Sequence, residues 1–246
     1  MYRYQILIEY VGTSYVGWQI QKKGNSIQKT AQIALSKLLS EKITLYGSGR
    51  TDAGVHALEQ SAHFDVKNKI QNIDRVVKSL NFFLNNKLIS IINIKKKKIN
   101  FHARHSAKER VYLYIIQNRL SPSTVFKDRE WHIRKKLDIK LIKKGAKKLI
   151  GTHDFSTFRA SNCSAKSPIR TINKIIVSKS KNRIKLKFKS KSFLKNQVRS
   201  MVGCLKYLGE SKWDLKDFIK SFKSKNRIKC APPAPACGLY LTNIEY

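Results

Sequence analysis

Apolar and polar residues alternate at the start of the chain: Tyr4, Ile6, Ile8 and Tyr10 fall on one face, Arg3, Gln5 and Glu9 on the other. A period of two with one apolar face predicts a half-buried strand. A loop with Gly12, Gly17 and Trp18 follows, and then the period lengthens. Ser26 is placed to cap a helix whose stripe is Ile27, Ala31, Ala34, Leu35 and Leu38. Residues 43–47 read as a short strand running into a glycine-flanked loop. Ala62, Phe64 and Val66 mark another strand, Asp74 to Leu84 a helix, and Leu88–Ile94 a further strand. The order is β-α-β-β-α-β.

The second half repeats it. A long strand is predicted over Ala107–Asn118, then an irregular stretch with Pro122 and Trp131, and a helix over Asp138–Ile150. Strands follow at Ile172–Val177 and Arg183–Lys189, then helices at Phe193–Leu208 and Trp213–Phe222. A proline-rich loop, Ala231 to Pro235, precedes a last strand at Leu239–Ile244. Element order alone therefore predicts an α+β protein. The same order predicts two ferredoxin-like (split βαββαβ) halves side by side, forming an extended, mainly antiparallel sheet with a catalytic cleft between them. Lys95-Lys96-Lys97-Lys98 reads as a solvated hinge, which divides the chain into halves 1–100 and 101–246.

Charge changes the picture more than composition does. The 246 residues carry 51 Lys and Arg against 15 Asp and Glu, a net +36. Such a field attracts polyanions, because each neutralised phosphate releases counterions. Nucleic acid is the leading partner and an anionic membrane surface the second. Lysine supplies 38 of the cations, and abundant Asn and Ile point to an AT-rich genome as one source of the excess. Residues 101–246 hold 35 of the cations and 9 of the acids, so the second half supplies most of the basic surface. Cys163, Cys204, Cys230 and Cys237 show no C-x-x-C spacing, and neither a zinc site nor a disulfide framework is indicated. Reduced thiols, no signal-peptide pattern at Met1-Tyr2-Arg3-Tyr4 and no apolar run of spanning length lead to a cytoplasmic expectation.

In so basic a chain, the loop Gly47-Ser48-Gly49-Arg50-Thr51-Asp52-Ala53-Gly54-Val55-His56 stands out. It holds a carboxylate two residues after a guanidinium, between glycines that allow sharp turns and close backbone approach. A nearby cation favours the charged carboxylate, which keeps it available as a nucleophile or base. A plain turn aspartate would bond neighbouring amides instead. The loop lacks the closing Gly-Lys-Ser/Thr of a phosphate cradle, and Asp52 takes the place of the third glycine of G-x-G-x-x-G.

The run Gly49 to Ala57 resembles the catalytic motif of the tRNA pseudouridine synthase A family. Further stretches agree: Glu9-Tyr10-x-Gly12 with Gly17-Trp18-Gln19, Phe101-His102-Ala103-Arg104-x-Ser106-Ala107 with Arg110-x-Tyr112-x-Tyr114, and His153-Asp154-Phe155-x-x-Phe158. Phe193-x-x-x-x-Val198-Arg199-x-Met201-Val202-Gly203 and Gly238-Leu239-Tyr240-Leu241 complete the series. The resemblance implies an isomerase that converts uridine to pseudouridine at positions 38, 39 and 40 of the tRNA anticodon stem-loop. It implies no cofactor and no metal, and a homodimer in which one tRNA touches both subunits.

By the same resemblance Asp52 is the essential aspartate. It attacks C1′ of the sugar, attacks C6 of the base, or assists formation of a glycal. Tyr112 is the tyrosine on which the detached uracil stacks, and its phenol is a candidate for moving the C5 proton; a core-facing strand aromatic fits the same spacing. Arg199 is the arginine that pairs with the aspartate, and a surface helix cation is its plainer reading. Arg50 is the residue that enters the stem where the target nucleotide is extruded, or it only neutralises Asp52. Strand cations Arg183, Lys185, Lys187 and Lys189 and helix cations Lys143, Lys144, Lys147 and Lys148 either track an RNA backbone or form solvated faces. His56, His63, His102 and His105 are expected to be hydrogen-bonding or structural. The stretch Lys166-Ser167-Pro168-x-Arg170 departs from the family's arginine-containing segment and loses its bidentate fork. A non-catalytic RNA-binding protein and a pseudouridine synthase of different specificity are the competing readings; the first needs no aspartate at 52.

Overall fold

The computed structural model describes residues 1–246. The chain forms two compact units, Met1–Lys108 with Tyr240–Tyr246, and Glu109–Leu239.

The first unit runs β1 (Tyr2–Tyr10), α1 (Ile27–Leu39), β2 (Tyr46–Gly47), β3 (His56–Val66), α2 (Ile73–Leu84) and β4 (Ile89–Lys97). Its sheet has the order β4-β1-β3, with β2 antiparallel on the far side of β3. This is the split-βαβ arrangement that the element order predicts. The apolar face of β1 is the core: Tyr4, Ile6, Ile8 and Tyr10 are all buried. Ser26 caps α1 by accepting a hydrogen bond from the Lys29 amide, and Ile27, Ala31, Ala34 and Leu35 are buried beneath it.

Three local expectations change. Gln5 is buried rather than exposed, donating from Nε2 to Ser61 Oγ at 2.9 Å. The segment after β4 covers that face, tied to β1 by Arg3 donating to the carbonyls of Ile99 and Phe101. The strand expected over 43–47 shrinks to Tyr46–Gly47. Side chains of α1 satisfy the backbone there instead: Ser36 Oγ accepts from the Ile43 amide, Gln32 Oε1 from the Leu45 amide, and Gln28 donates to the Leu45 carbonyl. Lys95, Lys96 and Lys97 are not a hinge. They continue β4 in register with Gln5, Tyr4 and Arg3 of β1. β4 pairs only with β1 within its sheet, and lysines on such an edge deter pairing with another chain.

The second unit contains β5 (Glu109–Asn118), β6 (Trp131–Ile133), α3 (Ile139–Lys147), β7 (Gly151–Asp154), β8 (Ile169–Ser180), β9 (Arg183–Ser190), α4 (Gln197–Gly209) and α5 (Leu215–Lys223). Its sheet is ordered β5-β9-β8-β7, antiparallel throughout, with β6 parallel on β5. Along β9, Ile184, Leu186 and Phe188 are buried while Lys185 and Lys187 are exposed. Asp138 caps α3, and Asp214 with Asp217 forms a capping box on α5. The helix expected from Phe193 starts only at Gln197, because Asn196 takes a left-handed conformation (φ 61°) that a helix cannot contain. The last strand, β10 (Leu239–Glu245), pairs parallel with β3, Tyr240 opposite His56 and Leu241 opposite Ala57. Tyr240–Tyr246 thus groups with the first unit.

Phe188 lies at the centre of the second core, fully buried and opposite Tyr112. Phe188→Ala is expected to destabilise the protein by about 3–5 kcal/mol, read as a lower urea midpoint with little change in slope.

Candidate active site

The Asp52 loop leaves β2 and returns into β3. Its first arm is fixed by β3: the Ser48 amide donates to the Ser61 carbonyl at 2.8 Å, Ser48 Oγ donates to Gln60 Oε1 at 2.8 Å, and Gln60 Nε2 donates to the Gly49 carbonyl at 3.0 Å. Ser48 and Gln60 are buried. Gly47 lies against the indole of Trp18, where an added Cβ would meet Nε1 at 2.4 Å.

The second arm is fixed by the chain that follows β1. The Trp18 amide donates to the Thr51 carbonyl at 3.1 Å, and the Val55 amide closes a turn onto the Asp52 carbonyl at 3.1 Å. The Gly12 amide donates to His56 Nδ1 at 3.1 Å. Gly12 has no substitute here, because a Cβ would sit 2.0 Å from the Val55 carbonyl oxygen. Gly17, at φ 108°, brings its backbone against Thr51 and Asp52. The His56 ring stacks on Tyr240 of β10, centroids 4.8 Å apart. Held this way, Asp52 stays half-exposed and Arg50 exposed, so one rigid loop presents both groups to solvent.

In the second unit Tyr112 is half-buried on β5, its ring edge-on to Phe193 at 5.3 Å. Phe193 lies on the stretch that leads into α4, which carries Arg199 in its first turn. Arg199 is half-exposed: Nε donates to the Ala234 carbonyl at 2.7 Å, Nη1 reaches Asn196 Oδ1 at 3.3 Å, and the Ala234 amide donates back to the Arg199 carbonyl. The proline-rich loop thus holds the guanidinium from one side. Tyr114, two residues along β5, is fully buried and donates to the Pro235 carbonyl at 2.7 Å; burial pushes its phenol well above the usual range.

The histidines near the loop are built into hydrogen bonds. His63 Nδ1 accepts from the Ala103 amide, and His102 Nδ1 from the Arg104 and His105 amides. Tyr46 stacks on His63 at 5.0 Å, and His102 meets His63 edge-on at 4.6 Å. Burial, the Arg3 charge and His102 pull the His63 pKa down from 6.5 to about 4. Arg3 in turn grips Asp65 through two 2.7 Å bonds and holds that carboxyl below its usual range. Tyr10, Trp18, Gln60 and Tyr240, which shape the loop, are not conspicuous as chemistry in the sequence. Their signal is position: three of them lie in or beside the matching blocks that flank the motif, and only Gln60 shows none. No group of three or more His, Cys, Asp or Glu side chains is placed to hold a metal ion.

The chain is similar to known proteins. A model of the tRNA pseudouridine synthase family matches residues 6–106 and 146–246. A tRNA pseudouridine synthase A from Pelagibacter ubique (strain HTCC1062) is 64% identical over 246 residues, covering 100% of both chains. One from Paramagnetospirillum magneticum (strain ATCC 700264 / AMB-1) is 43% identical, covering 100% of this chain and 96% of its own. Among solved structures, a chain of a Cbf5-Nop10-Gar1 complex overlaps 82% of this chain and 53% of its own at 10% identity and TM-score 0.35, too slight a likeness to compare site by site. The chain belongs to the tRNA pseudouridine synthase family. It is an isomerase that converts uridine in tRNA to pseudouridine.

The depressed His63 has a consequence for stability. The unfolded chain protonates this imidazole near 6.5, while the folded protein keeps it neutral down to about 4. The unfolded state therefore binds more protons in that window, and stability falls as pH drops through it. Urea midpoints of the wild type are expected to decline from pH 7 to pH 5, and His63→Gln to give a shallower decline.

Proposed function

We propose that the enzyme modifies uridines 38, 39 and 40 of the anticodon stem-loop, with Asp52 as the reacting nucleophile. The observation that carries this is the loop itself: a half-exposed carboxylate on backbone clamped from two sides, beside an exposed guanidinium. Isomerisation breaks the bond from C1′ to N1 and forms one from C1′ to C5. The C5 proton is given up and N1 gains one, so no redox partner is required. Asp52 reacts at C1′ or C6, or assists departure of the base through a glycal.

Tyr112 stacks on the freed uracil, whose rotation within its plane the π-face tolerates. Its edge contact with Phe193 supports this role by leaving the ring anchored at one side. Arg199 supplies the cation that keeps the Asp52 carboxylate charged, and its bonds to Ala234 and Asn196 fix its direction. Arg50 takes the place of the extruded nucleotide in the stem. The basic strand β9 and the +36 net charge support grip on the phosphate backbone. We further infer a cytoplasmic homodimer; exposed Phe82 and Phe83 on α2, beside Leu38, support a contact with a second copy.

Unmodified tRNA transcripts incubated with the enzyme and mapped by carbodiimide chemistry are expected to show pseudouridine at 38–40. Asp52→Asn is expected to keep tRNA affinity and lose isomerisation by at least about 1000-fold, as removal of a covalent catalyst does. Pseudouridine found only elsewhere in the tRNA would overturn the positions while leaving the enzyme class intact.

A further inference from the structure

Tyr10 closes β1, in register with Ala57 of β3 and Ile89 of β4, and its ring lies 6.1 Å from that of Trp18. Only 2% of it is exposed. At this depth a phenylalanine would fill the same space, yet the ring carries a hydroxyl, and that hydroxyl meets Thr51 Oγ1 at 2.8 Å. Thr51 is itself buried and immediately precedes Asp52. Its carbonyl is already held by the Trp18 amide, and the adjacent Gly17 packs against the same carbonyl, where a Cβ would approach to 2.7 Å.

The peptide between Thr51 and Asp52 is thus gripped at its carbonyl by one segment and at the preceding side chain by another. A β-branched side chain has few χ1 choices, so fixing its hydroxyl also fixes the backbone that aims the next residue. Strand β1 is hydrogen-bonded on both edges, which makes the phenol a rigid anchor.

We propose that the buried Tyr10–Thr51 hydroxyl pair aims the Asp52 carboxylate at the nucleoside, which makes Tyr10 and Thr51 positioning residues for the isomerisation. This rests on Asp52 as the reacting carboxylate. Neither hydroxyl touches substrate; each acts through the backbone of the loop. A sub-ångström drift of a reacting group costs rate rather than affinity, so the effect belongs on the chemical step.

The test uses the full-length enzyme with saturating unmodified tRNA, and reads single-turnover pseudouridine formation beside tRNA affinity at one fixed salt concentration. Tyr10→Phe and Thr51→Val are each expected to slow the single turnover roughly tenfold with tRNA affinity unchanged, and Thr51→Ser, which keeps the hydroxyl, to restore the rate. Because the two groups act as one pair, the double variant Tyr10→Phe/Thr51→Val is expected to be no slower than the slower single one. A merely structural pair would lower the melting temperature but leave the turnover of folded enzyme alone. Wild-type turnover by fully folded Tyr10→Phe enzyme, or effects that multiply in the double variant, would overturn the proposal. If Thr51→Val does not fold, Tyr10→Phe alone decides. Asp52→Asn run in parallel separates the two assignments: an active Asp52→Asn enzyme removes the reading beneath the proposal, whereas a dead one with normal Tyr10→Phe turnover removes only the pair's role.

Discussion

Close backbone approach is the constraint on which the site depends. The chain after β1 crosses the Asp52 loop at Gly12 and Gly17, where no side chain has room, and the two segments share hydrogen bonds there. A loop of ten residues with two internal glycines would otherwise be a poor platform for chemistry, because glycine loses the most freedom on ordering. The loop is held because β3 bonds its first arm and Gly12 and Trp18 bond its second. Exposure of Asp52 and Arg50 is then compatible with order. Both side chains reach solvent while Ser48 and Thr51 beside them are buried.

The same economy governs charge. With few acids in so basic a chain, carboxylates are placed where they structure it. Asp65 pairs with Arg3, Glu130 with Arg183, Glu109 with Lys189 and Glu210 with Lys206, while Asp138, Asp214 and Asp217 cap helices. These pairs are local and leave the long-range field almost untouched, so the protein remains strongly attractive to a polyanion. Asp52 differs from them in lying on a glycine-bounded loop. That contrast is what makes an acid in a basic protein informative.

Much of the fold was legible because its elements follow simple periods. The alternation in β1 and β9 and the Ser26 cap on α1 appear in the structure as the residue pattern implies. The departures share one cause, which is that a neighbour distant in sequence supplies what local pattern lacks. Gln5 is buried and donates to Ser61 of β3, beside Arg3, which bonds the carbonyls of Ile99 and Phe101. Lys95–Lys97 extend a strand because β1 offers a ladder. Residues 43–45 need no ladder because α1 provides amides and hydroxyls. β6 and β7 are too short to carry a period of their own.

The sequence alone determined the strand and helix alternation, the electrostatic character and the motif that holds Asp52 and Arg50, since each is written in contiguous residues. Tyr112 and Arg199 were singled out through the family resemblance of the blocks that contain them. Only the tertiary structure decided that Tyr10, Trp18, Gln60 and Tyr240 shape the loop, that the last strand returns to the first unit, and which faces of β1 are covered. The physical reason is one of range. Periodicity and capping are properties of neighbours along the chain, whereas a hydrogen bond between residues 10 and 51, or a ring stacked between residues 56 and 240, exists only once the chain has closed upon itself.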